Sequence, residues 1–434
     1  MSKKYDAIII GAGIIGTAIG CELARKRYRT LNIDKLPSAG YGPTGASCAI
    51  IRTHYSTYDG SAIAYESYFY WKNWADHIGV ADERGLAHFH ECGCMVMRTE
   101  HNGYLTKILE KMDALGVPYQ LWEPEQIKEH FPIYETRQFG PVRRPHDAGF
   151  GVPTEKIISG AVFFPAAGYI NDPQLSTCNL QKAAEAAGGE FLFNTEVTRI
   201  STANGRITGI VLKTGEQIES PIVVNAAGPH SQIVNDLAGV TGDMNISTKA
   251  LKQEVAHIPS PHGFDYERLG MVTSDSDIGC YTRPEHGNYI LVGSEDPECD
   301  QREWVDPDSY DENFSDQWQI QALRMGQRIP SLKIPRRRRG VVSLYDVSDD
   351  WIPIYDKSSL PGFYMAIGTS GNQFKNAPVA GLMMAQLIEK CENGYDHDTD
   401  PLKFKMKYTN LTINLGFYSR RRPINHESSF SVLG

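Results

Sequence analysis

The residues best suited to chemistry stand at two places far apart in the chain. Near the start, Gly11-Ala12-Gly13-Ile14-Ile15-Gly16 forms a G-x-G-x-x-G pattern. The first glycine permits a tight turn, the second lets backbone approach a pyrophosphate, and the third lets a helix pack closely on a strand. Asp34 follows about 20 residues later, the separation at which an acid grips a ribose hydroxyl. Next comes a loop over 37–45 rich in Pro, Gly and Ser, then the small residues Gly45-Ala46-Ser47, with Arg52 and His54 just beyond them. Arg52 reads either as a carboxylate clamp or as a solvated surface arginine. His54 is a candidate base for a hydroxyl proton. Far down the chain, Gly368-Thr369-Ser370-Gly371-Asn372-Gln373-Phe374-Lys375 repeats the logic of a glycine turn ahead of a helix.

These groups need elements to hold them. The apolar run 7–10 is β-branched and too short for a helix, so it predicts a buried strand. A helix over 14–26 would aim its first N–H groups at a phosphate, and a second strand over 30–33 ends in Asp34. Strand, turn, helix, strand and acid in this order predict a dinucleotide site. The residues alone do not separate FAD from NAD. Residues 45–52 read as small residues opening a second helix. Residues 62–79 are helical and aromatic, a pattern of core rather than of a cofactor box. His88 and His90 share one face of a strand without an evident third ligand, so no metal site is predicted.

Helices are expected over 103–116 and 123–130, and over 173–187 with Asp172 as cap and Pro173 in the first turn. Strands are expected over 161–170, 191–193, 196–200, 207–213 and 217–224, with a turn at Asn204-Gly205. The run 222–229 is another buried strand entering a glycine turn, Ala227-Gly228. A hairpin over 280–284 and 289–293, a helix over 320–328, a strand over 363–367 and a helix over 379–389 complete the pattern. The run Arg336 to Arg339 reads as a solvated loop or strand face. The tail from residue 394 carries no functional reading.

Composition narrows the function. The 434 residues suffice for two or three domains, or for one cofactor domain with a large insertion. A formal net charge of −9 argues against nucleic acid and against an anionic membrane surface. The eight cysteines show no C-x-x-C pair and no zinc spacing, which suits reduced thiols in an intracellular protein. No stretch has the length of a membrane span and no signal peptide is read, so the expected location is the cytoplasm.

In order and spacing, these motifs resemble the D-amino-acid-oxidase family of FAD enzymes, the group that holds sarcosine oxidase, glycine oxidase and dimethylglycine dehydrogenase. The carrying segments are the first glycine motif, Gly45-Ala46-Ser47 leading to Arg52, and Gly168-Tyr169-Ile170-Asn171-Asp172-Pro173. Further on they are Val223-Val224-Asn225-Ala226-Ala227-Gly228-Pro229, Tyr281-Thr282-Arg283-Pro284 and Gly368-Thr369-Ser370-Gly371. The resemblance implies an α/β chain. A Rossmann-like FAD-binding domain (1–90, 150–240 and 335–390) would carry an α+β substrate domain (91–149 and 241–334) built on a mostly antiparallel sheet. Residues 391–434 would be a C-terminal extension.

The resemblance also implies roles. FAD would be held by Gly11, Gly13, Ile14, Ile15, Gly16, Asp34 and Lys35, then by Gly45, Ala46, Ser47, Ile51, Val197, Ala227 and Gly228. Gly368, Gly371, Asn372, Gln373, Phe374 and Lys375 would complete its site. Within the sarcosine-oxidase branch, Arg52 and Lys375 match the carboxylate-binding pair, and Tyr281 is a wall residue or hydroxyl donor. The place that carries a flavin-linking cysteine in monomeric sarcosine oxidases is Val342-Ser343-Leu344-Tyr345 here, so non-covalent FAD is expected. The strand that carries their oxygen-activating lysine has none over 289–293, which leaves oxygen and an unidentified carrier both open as acceptor. The implied reaction is oxidation of the C–N bond of an amino acid or N-methyl amino acid by hydride transfer to flavin, followed by imine hydrolysis. Two other readings stand beside it. One is a 2-hydroxy-acid oxidoreductase with His54 as base; the other is an FAD-carrying subunit of a larger electron-transfer complex.

Overall fold

The computed structural model describes residues 4–434. Its first strand, Ala7–Ile10, is buried along its whole length because both faces are covered. Ala7 and Ile9 pack against helices, while Ile8 and Ile10 pack under a small sheet, the period-2 alternation of a central strand. It is flanked by Thr30–Ile33 on one side and Val223–Asn225 on the other, both parallel to it. The full order is Ile354–Lys357, Phe363–Ile367, Val223–Asn225, Ala7–Ile10, Thr30–Ile33, Glu190–Leu192. Every neighbouring pair is parallel except the edge pair Ile354–Lys357 with Phe363–Ile367.

Helices Ile14–Arg25, Pro173–Ala186 and Ala377–Glu392 cover one face. Gly381 lets two of them meet, since a Cβ there would lie 2.8 Å from the Ala18 carbonyl oxygen. A three-stranded antiparallel sheet (Val197–Ala203, Arg206–Leu212, Gln217–Glu219) and helix Ser231–Ala238 cover the other face. Three adjacent parallel strands therefore end side by side: Ile10 enters Gly11, Asn225 enters Ala226 to Gly228, and Ile367 enters Gly368. In open α/β sheets ligands bind outside the carboxyl ends of the strands.

The second sheet has eight strands in the order Gly340–Ser348, Thr248–Pro259, Tyr289–Ser294, Cys280–Glu285, Val272–Asp275, Cys94–Met97, Ala161–Phe164, Gln120–Trp122. Only Val272–Asp275 with Cys94–Met97 is a parallel pair, so this sheet is mostly antiparallel. Helix Asp316–Arg328 closes one of its faces through Trp318, Ala322 and Met325. Ala161–Phe164 and Gly340–Ser348 pair in this sheet although they fall in stretches assigned above to the cofactor domain.

Two expectations of local structure are corrected. Residues 45–52 open no helix. They form a turn, with Ala49 at φ +48, and then the short strand Ile50–Ile51. Small residues suit tight turns as well as helix starts, and no apolar 3.6-residue period follows them. Helix Asp316–Arg328 begins earlier than expected because the Ser315 hydroxyl caps it, accepting from the Gln317 N–H. The tail is folded onto the body. Buried Arg420 donates to Asp243, Asp356 and Asp398. No helix among the described residues is long and apolar enough to cross a membrane.

Candidate active site

A cavity of about 730 Å³ lies at the carboxyl edge of the parallel sheet and reaches the antiparallel one. That volume is within the range of small-molecule and cofactor sites, roughly 300–1,000 Å³. The first glycine turn forms one end. Gly11 has φ +116, and a Cβ there would stand 2.2 Å from the Ala226 carbonyl oxygen of the neighbouring strand's turn. A Cβ on Gly16 would stand 2.3 Å from the Gly11 carbonyl oxygen, so helix Ile14–Arg25 sits directly on the turn. No side chain caps that helix at Gly13, and its Ile14 N–H donates to Thr44 Oγ1 at 3.1 Å. An uncapped helix start with the dipole's positive end in a cavity suits a phosphate. Asp34 accepts from the Ala12 N–H at 2.7 Å and the Leu36 N–H at 2.9 Å, which holds the turn closed at the cavity wall.

The expected cofactor residues divide by position. Gly11, Gly13, Ile14, Ile15, Gly16, Asp34, Lys35, Ala46, Ser47, Val197, Ala227 and Gly228 line the cavity, as do Gly371 and Asn372 to Lys375. Gly45, Ile51 and Gly368 do not line it. Gly45 lies within its turn, its N–H donating to the Gly42 carbonyl at 2.9 Å. Ile51 points into the core, because on an extended strand Ile50, Arg52 and His54 share one face and Ile51 takes the other. Gly368 (φ +67) donates its N–H to Asp346 Oδ2 at 2.6 Å and so shapes the turn from behind. Lys35 reaches across the cavity rim to Asp308 and lies 2.8 Å from His230 Nε2.

Arg52 and Lys375 come together although 322 residues separate them along the chain. Both lie over the ring of Tyr55, at 4.3 Å and 5.0 Å from its centroid. Lys375 Nζ donates to the Tyr55 hydroxyl at 3.0 Å and the Asn372 carbonyl at 2.7 Å. Arg52 donates to the backbone carbonyls of His54, Val432 and Leu433. Both side chains are buried, and among the described residues neither has a carboxylate within 4.0 Å. Burial, reinforced by Arg52, pushes the Lys375 ammonium well below the usual lysine range. Burial and then the two cations push His54 down as well, so its imidazole is neutral. It stacks on Phe164 at 4.3 Å, and its Nδ1 has no hydrogen-bond partner among the described residues.

Tyr281 also lines the cavity, its hydroxyl 3.7 Å from Cys48 Sγ. Burial pushes the Cys48 thiol up, so it stays protonated. His88 and His90 meet edge to face at 4.6 Å, and among the described residues no three ligands gather for a metal. Sequence reasoning passed over Tyr55, Tyr345 and the tail residues Val432 and Leu433. Tyr345 belongs to the segment 342–345 and packs on Gly371, where a Cβ would lie 2.4 Å from its ring. Tyr55 directly follows His54, which is a signal of place but not of role. The tail offered no signal at all.

A parallel sheet with glycine turns along its carboxyl edge, and a second sheet reached by the same cavity, is the arrangement of a dinucleotide-binding protein. The family model described as DAO, FAD dependent oxidoreductase, matches residues 6–387, and the chain belongs to this family. It is an FAD-dependent oxidoreductase, and the uncapped helix start, the glycine turn and Asp34 fit that cofactor. Among relatives, glycine oxidase of Geobacillus kaustophilus is 24% identical over 408 residues, 91% of this chain and 96% of that protein. Sarcosine oxidase subunit beta of Rhodobacter capsulatus is 24% identical, covering 89% of this chain and 86% of that one. Among solved structures, L-proline dehydrogenase from P. horikoshii superposes with a TM-score of 0.76 at 22% identity, covering 97% and 98% of the two chains.

Proposed function

We propose that this enzyme oxidises the C–N bond of a small carboxylate-bearing amine, an amino acid or N-methyl amino acid. The observation that carries this reading is the pair Arg52 and Lys375. A buried guanidinium and a buried amine on one ring, with no acidic partner, cannot both hold their charge cheaply unless an anion joins them. A substrate carboxylate supplies that anion. Its charge offsets the field of Arg52 and lets Lys375 keep its proton. Two charge-assisted contacts then orient the C–H bond beside the amine. The names of the relatives, glycine oxidase and sarcosine oxidase subunit beta, support the same substrate class.

Bound FAD supplies the hydride acceptor. The first glycine turn and the start of helix Ile14–Arg25 would hold its pyrophosphate, Asp34 a ribose hydroxyl, and residues 46–48 with 371–374 the ring system. Attachment is non-covalent: residues 342–345 contain no cysteine, and Cys48 is a buried, protonated thiol. Loss of hydride from the carbon, with the neutral amine's lone pair forming the C=N bond, would leave an iminium ion that water hydrolyses to a carbonyl compound and an ammonium. Tyr281 would form part of the wall beside the substrate. The eight unpaired cysteines suit a reducing compartment, so we place the enzyme in the cytoplasm.

One observation favours a second reading. His54 lines the cavity as a neutral imidazole, the form that a base for the hydroxyl proton of a 2-hydroxy acid needs. Anaerobic titration of the bound flavin decides between them. Bleaching by amino acids or N-methyl amino acids supports amine oxidation, and bleaching only by hydroxy acids overturns it. Peroxide release against dye reduction then assigns oxygen or a carrier as acceptor.

A further inference from the structure

The far end of the tail lies on Arg52. The tail is fixed to the body at two buried arginines. Arg420 binds three aspartates, and Arg422 donates to both oxygens of Asp350 at 2.8 Å and 2.9 Å. Beyond Asn425, whose N–H donates to Asp350 at 3.3 Å, the attachments weaken. Ser429 and Ser431 bond mainly to each other and to adjacent backbone. Arg302 holds the Phe430 carbonyl at 2.6 Å, and the Ser56 N–H holds the Gly434 carbonyl at 2.8 Å. Between these points the carbonyls of Val432 and Leu433 accept from Arg52 Nη2 at 3.1 Å and 2.5 Å. The same two residues form part of the cavity wall.

Two neutral oxygens on one guanidinium nitrogen occupy donors that a carboxylate would use. A carboxylate binds a guanidinium more strongly than a carbonyl does, because both partners are charged. We infer that residues 429–433 form a strap that competes with the substrate's carboxylate for Arg52, and so decide which carboxylates enter. This rests on the reading of Arg52 as the substrate's anion site. The strap's root is locked by ion pairs, whereas its tip is held by a few hydrogen bonds and by Val432, which packs with Leu251, Val347 and Trp351, so a competing carboxylate must displace that one apolar contact as well.

The test uses acetate, an anion that cannot be oxidised as an amine, titrated into the holoenzyme and followed by the flavin spectrum. A chain ending at Ser428 keeps both arginine anchors and should bind acetate roughly tenfold more tightly than the full chain, a modest coupling between two ligands of one site. Arg302→Ala, which frees Phe430 in a full-length chain, should shift affinity in the same direction and serves if the shortened chain folds poorly. In the unaltered holoenzyme, saturating acetate should speed amide exchange at residues 429–434. Equal affinity in all three forms, with exchange unchanged, makes the strap a fixed wall and overturns the inference alone. No acetate binding in any form removes Arg52 as an anion site and overturns both readings.

Discussion

Lys375 keeps an amine away from water without a counter-ion, on a ring it shares with Arg52. Its hydrogen bonds to the Tyr55 hydroxyl and the Asn372 carbonyl hold Nζ at the cavity wall. Lys375→Met keeps the length and the burial and removes the charge. A charge-assisted hydrogen bond contributes about 1.5–3 kcal/mol, so kcat/KM should fall roughly 10- to 100-fold. The flavin content should stay unchanged, because Arg52 and the glycine turns remain. Steady-state kinetics with the amine that bleaches the flavin, alongside the absorbance of the purified variant, checks both halves. Unchanged kinetics would remove Lys375 from the substrate site. Arg52 was visible beside its loop, yet its partners were not. Val432 and Leu433 are separated from it by some 380 positions, and nothing local in a polar, serine-rich tail marks such a contact.

At the scale of elements, the first glycine turn was legible because its parts are neighbours: strand, turn, helix and Asp34 lie within residues 7–34. The parity of the short strand Ile50–Ile51 was not. Two residues do not reveal which face meets the cavity until the Gly168–Ile170 strand pairs with them. The loop over 37–45 was legible from its Pro, Gly and Ser, but its continuation through residues 46–49 escaped for a related reason, since small residues are common to turns and helix starts. Gly11 gives this scale its prediction. At φ +116, and 2.2 Å from the Ala226 carbonyl oxygen, a methyl group forces two strand ends apart. Gly11→Ala should cost about 3 kcal/mol or more and yield a colourless protein. Gly188→Ala is the matched control: φ is +96 but nothing lies within 4 Å of its Cβ. It should cost only about 1 kcal/mol and stay yellow. Denaturant unfolding and flavin absorbance of the pair separate steric blockade from left-handed strain.

At the scale of the molecule, the two sheets meet at Asp346. It lies on Gly340–Ser348 of the antiparallel sheet, and its Oδ2 accepts from the Gly368 N–H at 2.6 Å, just past a parallel strand. Ser231, at the head of the helix after another parallel strand, donates to the same oxygen at 2.9 Å. Neither sheet's own pattern could announce this joint, because its partners come from three separate stretches of chain. Burial pushes the Asp346 carboxyl up to about 7, although the Gly368 N–H and Ser231 hydroxyl pull it the other way. A carboxyl raised on folding binds its proton more tightly when folded. Its stabilising contribution is complete below the unfolded value near 3.8 and is lost as pH rises through about 7. Between pH 5 and pH 8 the loss is on the order of 3 kcal/mol. Asp346→Asn keeps an acceptor for Gly368 and cannot ionise. Relative to the variant, the unaltered enzyme should therefore lose stability across that window, with both compared by urea unfolding at saturating FAD. Parallel pH profiles for the two proteins would mean that the carboxyl titrates in its ordinary range, and that the joint between the sheets carries its charge without cost.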